Sequence, residues 1–135
     1  KEDLVPTSAT LHKEKFFIPD TLKNEIKDCK VRGGKIIALG TTTLRALESA
    51  YDFNEKEIKT GHQSTDIFIK EGYKFRVVDK LITNFHLPES SLLMLVCAFG
   101  GKSNILNAYK YAIKNHLRFY SYGDAMIIEK CLSKF

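Results

Sequence analysis

The hydrophobic positions of this chain fall into short blocks whose period switches between two and about 3.6 residues. Residues 1–19 are mostly polar and end in an extended piece, LHKEKFFIP. After Pro19, DTLKNEIKDCKVRGG places Leu22, Ile26 and Cys29 at helical spacing, with Gly33 and Gly34 as a stop. KIIALG (35–40) predicts a short apolar strand, flanked by charge and glycine. TTTLRALESAY (41–51) predicts a helix with Leu44, Leu47 and Ala50 on one face and Thr41 or Thr42 as its cap. TDIFI (65–69) and KFRVVDKLIT (74–83) predict two strands joined by EGY. SSLLMLVCAF predicts a buried helix, capped by Ser90 or Ser91 and ended by Gly100 and Gly101. SNILNAYKYAIKNH (103–116) predicts an amphipathic helix. RFYSYGDAMIIE (118–129) predicts a closing strand broken at Gly123.

A strand that ends in glycine and runs through threonines into a helix is a βα unit. The chain is therefore α/β, with helices and strands alternating around a mixed sheet. Residues 1–19 form a connector and extended segment, and 20–135 form the domain proper. The opening at Lys1, with no initiator Met, suggests a piece of a longer protein. Composition sets the class: 44% hydrophobic and 27% charged residues describe a folded globular domain. Lys and Arg outnumber Asp and Glu by 21 to 16, a net charge of +5 that favours anionic partners. Cys29, Cys97 and Cys131 lack CxxC spacing, so no metal site is expected from them and a reducing, cytoplasmic setting is. The start is too polar for a signal peptide, and LLMLVCAF is too short to span a bilayer, so no membrane role is expected.

The polar clusters sit at predicted strand ends, where open α/β sheets hold ligands. In ALGTTTLRALES, Gly40, Thr41 and Thr42 lead into a helix N-terminus suited to an anion, with Arg45 able to pair with it. An ordinary capped turn with a surface arginine is the alternative. The spacing is neither GxGxxG nor a Walker loop. In LITNFHLPES, Thr83, Asn84 and His86 lie together at the mouth of a buried element. His86 can exchange protons near neutral pH, Asn84 can donate and accept, and Phe85 and Pro88 can form apolar walls. The same groups could instead fix the turn. In FYSYGDAM, Tyr122, Gly123 and Asp124 form either a stacking shelf with a carboxylate or a plain turn. His12 and Glu14 share a side of an extended segment, and further ligands at readable spacing are lacking, so a metal there is disfavoured. His62 and His116 read as surface groups.

GTTTLRALES, then TDIFI..GY.F.VVD.LITNFHLPESSLLMLV.AF.G, then AY..AI....RFYSYGDAM together resemble the S-adenosylmethionine:tRNA ribosyltransferase-isomerase family of queuosine synthesis. The likeness runs from about His12 to Ile128 and rests on order and spacing more than on any one motif. Members are much longer, so the chain resembles their C-terminal part, without the N-terminal portion and its inserted β-barrel. The resemblance implies transfer and isomerisation of the ribosyl part of S-adenosylmethionine onto 7-aminomethyl-7-deazaguanine at a tRNA wobble position. Epoxyqueuosine forms, and adenine and methionine leave. S-adenosylmethionine is then a co-substrate, and no cofactor is implied.

By position, the resemblance implies His86, Asn84 and Asp124 as the catalytic group. It implies Gly40, Thr41, Thr42, Arg45, Thr83, Phe85, Pro88, Tyr122, Gly123, His12 and Glu14 as the substrate-binding set. GHQST departs from the family's Gly-Glu-Thr pattern at Gln63 and Ser64, and EGY replaces a Pro-Gly-Tyr turn. The intact enzyme is expected to be a monomer, whereas the piece alone should be inactive and expose apolar surface through which it can self-associate. A non-catalytic tRNA-binding module of the same fold is the alternative. A conventional methyltransferase is disfavoured by the glycine loop.

Overall fold

The computed structural model describes residues 13–86, 90–119 and 123–131. Strand β1 (Glu14–Ile18) is followed by helix α1 (Asp20–Val31), β2 (Ile37–Leu39), α2 (Thr41–Ser49), β3 (Tyr51–Asp52), β4 (Glu57–Ile58), β5 (Gly61–Thr65), β6 (Lys80–Asn84), α3 (Ser91–Gly100), α4 (Lys102–Lys114) and β7 (Ala125–Glu129). The central sheet has the order β2–β6–β7. β2 runs parallel to β6, and β7 runs antiparallel to it, so the sheet is mixed. β1 lies in the extended piece expected at LHKEKFFIP and pairs antiparallel with β5, and β3 pairs with β4 in a small hairpin.

The helices form where the periodicity predicts them. Leu44, Leu47 and Ala50 of the α2 face are buried. In α3 every residue from Leu93 to Cys97 is buried, as its continuous apolar run demands. Ser90 caps α3 by accepting the Leu93 N–H at 3.1 Å. α4 buries Ile105, Tyr109 and Ala112 and leaves Ile113 exposed, so its buried stripe is narrower than the sequence suggests.

Several strand expectations need correction. TDIFI is not a strand; the strand there is the preceding GHQST, because β1 registers with Gly61–Thr65 and no described strand lies beside 66–69. Ile69 still reaches the core. Within KFRVVDKLIT only the part from Lys80 on joins the sheet, in a strand that runs to Asn84. The amides of Arg76, Val77 and Val78 donate instead to the buried carboxylate of Glu48, at 2.8, 2.9 and 2.9 Å. Their ladder bonds are thus replaced by side-chain bonds. Of 118–129 only Ala125–Glu129 is strand. Neither Thr41 nor Thr42 caps α2; Gly40 occupies the cap position with φ 96°, and no side-chain cap hydrogen bond is made among the described residues. The β3–β4 hairpin carries little hydrophobic alternation and was not anticipated.

Candidate functional site

Three sequence motifs meet at one end of the central sheet. β2 and β6 are parallel, so Gly40, just past the C-terminal end of β2, lies at the same end of the sheet as Asn84, the last residue of β6, and the Gly40 N–H donates to the Ile82 carbonyl at 2.8 Å. β7 is antiparallel, so Ala125 sits opposite Asn84 and carries Gly123 and Asp124 to the same end. The topology is what brings GTTT, TNFH and GDA together.

His86 is held from two sides. Its backbone N–H donates to the Tyr109 hydroxyl at 2.7 Å, and its ring Nε2 lies 3.0 Å from Thr83 Oγ1. Burial lowers its pKa below the ordinary histidine value, so the ring is neutral at neutral pH. One tautomer places Nε2–H on Thr83 and leaves the Nδ1 lone pair open to take a proton. Thr83 itself is buried, on the core side of β6. Asn84 is half-buried on the other side of the strand, and its side chain makes no hydrogen bond among the described residues.

Phe85 is turned into the core. Its ring lies 5.1 Å from those of Tyr109 and Phe119, with Tyr109 and Phe119 5.8 Å apart. This aromatic trio fixes the chain just before His86 rather than presenting an open wall. Burial pushes the Tyr109 hydroxyl up to about 12, so it stays protonated as a hydrogen-bonding group. Tyr109 was legible as part of the α4 apolar face, but nothing in the sequence showed that its hydroxyl reaches His86.

Asp124 closes its own loop. Its Oδ2 accepts the Arg118 N–H at 2.8 Å, and its N–H donates to the Arg118 carbonyl at 3.1 Å. Gly123 lies so close that a Cβ there would stand 2.4 Å from the Arg118 oxygen. The turn reading of this motif thus holds for the described residues. Pro88, Tyr122 and His12 lie outside the described residues.

Gly40, Thr41 and Thr42 lead into α2, whose first-turn amides no side chain caps, with Thr42 exposed. Arg45 is neither at that open end nor on the surface. It is buried, its Nη1 forms an ion pair with Glu14 of β1, and its Nη2 donates to the Ile67 carbonyl at 3.4 Å. Its Nε has no hydrogen-bond partner among the described residues. The structure thus joins Glu14 to Arg45, two residues singled out separately. Glu48, which sequence reasoning missed, also accepts from the Tyr73 hydroxyl at 3.3 Å. A groove of about 590 Å³ lined by Lys23, Lys27, Lys30, Lys56 and Arg76 among others shares no residue with this constellation.

The profile of the family described as "Queuosine biosynthesis protein" matches residues 4–128. The chain is 55% identical over 118 residues to the S-adenosylmethionine:tRNA ribosyltransferase-isomerase of Treponema denticola, covering 87% of this chain and 34% of that protein. It is 58% identical over 119 residues to the protein of the same description from Buchnera aphidicola subsp. Schizaphis graminum, covering 87% and 33%. A crystal structure of S-adenosylmethionine tRNA ribosyltransferase from Thermotoga maritima superposes with a TM-score of 0.77 at 41% identity, covering 84% of this chain and 40% of that one. The chain spans about a third of the length of the curated relatives it matches.

Proposed function

Because the chain belongs to the queuosine biosynthesis protein family, we propose that it forms part of an enzyme that moves the ribosyl portion of S-adenosylmethionine onto a tRNA base. The acceptor in this reading is the aminomethyl group of 7-aminomethyl-7-deazaguanine in the wobble position. The product is epoxyqueuosine, and adenine and methionine are released. One observation carries the reading: Gly40, Asn84, His86 and Asp124 share one end of the sheet, with His86 held neutral by burial.

The chemistry suits such a site. The sulfonium acidifies the neighbouring 5′ C–H, and a neutral imidazole fixed by Thr83 and Tyr109 is a competent base for that proton. Adenine then leaves, the acceptor amine attacks the opened sugar, and the ring closes as a cyclopentane epoxide as the C–S bond breaks and methionine departs. Asn84, with its amide unpartnered among the described residues, holds the sugar or the base edge. The open amides of the α2 first turn receive a polar or anionic group, either the donor's methionyl end or a tRNA phosphate. The Glu14–Arg45 pair anchors β1 beside them. Tyr122, Gly123 and Asp124 border the base.

The test uses a chimera in which this chain replaces the matching third of the Treponema denticola relative. It receives S-adenosylmethionine labelled in the ribose and tRNA bearing the aminomethyl-deazaguanine. Label in tRNA with equimolar adenine, both lost in His86→Ala, is the expected result. Undiminished transfer in the variant would make His86 structural. Binding of tRNA without transfer would favour a non-catalytic binding module, and methylated RNA a methyltransferase.

A further inference from the structure

Alternation along the central sheet puts two sets of side chains on opposite faces. Ala38, Leu81 and Ile128 stand opposite one another across the three strands and are all buried. Leu39, Ile82 and Ile127 form the next row and point the other way. Leu39 is 72% exposed and Ile127 70%, with Ile37 at 55% on the same side of β2. Lys80 and Glu129, an ion pair at 3.5 Å, flank that row at one end, and Asn84 and Ala125 flank it at the other. Single exposed aliphatic residues need no explanation, but a contiguous row across three strands does. α2 packs on β2 and β6 and α3 on β7, over the Ala38–Leu81–Ile128 face, and no helix or strand among the described residues covers the other face.

We infer that the outer face of β2–β6–β7, centred on Leu39, Ile82 and Ile127, is the seam on which the polypeptide that relatives carry outside the matched third packs. The length involved supports this occupant. The match takes up 34% of the Treponema protein and 40% of the Thermotoga structure, so most of each family member lies elsewhere and must pack somewhere. The row's makeup supports it too: three aliphatic side chains flanked by an ion pair describe an apolar centre with a polar rim. Lys80, Ile82 and Asn84 alternate with Leu81 and Thr83, so the seam runs up to Asn84. The covering polypeptide therefore supplies one wall beside Asn84, while Thr83 and His86 approach from the core side. That last step rests on the reading of the site given above; the seam does not.

Cysteine labelling decides the matter without any activity measurement. Cys29 and Cys131 are replaced by Ser, and Leu39→Cys, Ile127→Cys and, as a control distant in the fold, Phe53→Cys are introduced singly. Each is treated with a maleimide in the 135-residue chain and in the chimera. Expected are rapid labelling at all three positions in the chain alone and, in the chimera, slowing by more than about a hundredfold at 39 and 127 only, as burial in a stable core gives. Equal labelling in chain and chimera would overturn the seam. So would protection in the chain alone that disappears on dilution, since that marks a contact between two copies. If the chimera does not fold, the remaining Treponema segment is co-expressed with the chain as a separate polypeptide. A one-to-one complex weakened more than about tenfold by Leu39→Glu supports the seam, and absence of a complex overturns it.

Discussion

The ring of His86 lies half-buried against Thr83, and burial lowers its pKa below the ordinary value of 6.5. In the unfolded chain the same ring protonates near that ordinary value, so acid favours unfolding. The stability owed to the neutral ring is complete above pH 6.5 and is lost as pH falls through the lower folded value. We expect the urea midpoint to decline on acidification through this window, and His86→Gln to flatten the decline. Transfer by the chimera should fall over the same acid limb. Asp79 titrates in a separate window. Burial opposes its charge, but the Ile36 amide and Lys30, Lys130 and Lys35 outweigh that and hold its pKa below 3.8. Glu48 offers a second test at this scale. Its carboxylate receives three backbone amides and a tyrosine hydroxyl in the interior. Glu48→Ala leaves the Val77 and Val78 amides buried and unsatisfied, so we expect a loss of about 3 kcal/mol or more by urea denaturation, far beyond a surface substitution.

Among the elements, α3 ends in a close fit. Gly100 ends it, and a Cβ there would lie 2.7 Å from Ile105 Cδ1 and 2.7 Å from Ile128 Cγ2. Propensity alone favours Ala over Gly in a helix by about 1 kcal/mol. Overpacking between two buried isoleucines costs about 1–3 kcal/mol and should win, so Gly100→Ala is expected to lower Tm. A Tm that rises would show that β7 and α4 can move apart. The elements also divide by how legible they were. Helices α1 to α4 follow from local periodicity and caps such as Ser90. The strands were harder, since DIFI and FRVV have the composition of strands but pair with no strand among the described residues, and Glu48 takes the amides of the second.

For the molecule as a whole, the outer sheet face and the site lie on one continuous surface through Ile82 and Asn84. If that face is uncovered, Asn84 faces water instead of a shaped pocket, and the roles proposed above for His86 and Asn84 are not enough for turnover. We therefore expect the 135-residue chain alone to release no adenine above background, and the chimera to release it in step with label transfer. Turnover by the chain alone would show that the site is complete without further polypeptide.

By itself the sequence determined the α/β class, the four helices and the motifs that carry the family likeness, because those depend on residue type, spacing and local capping. It also placed Gly40, Asn84, His86 and Asp124 at element ends. Only the tertiary structure decided that those ends coincide, since register and strand direction are long-range. It also decided that Arg45 is buried against Glu14, that Tyr109 grips the His86 backbone, and that Asp124 clasps Arg118. Each is a polar group satisfied by a partner distant in sequence or across a loop. A sequence shows which groups need such partners, and only the packed chain shows where they are found.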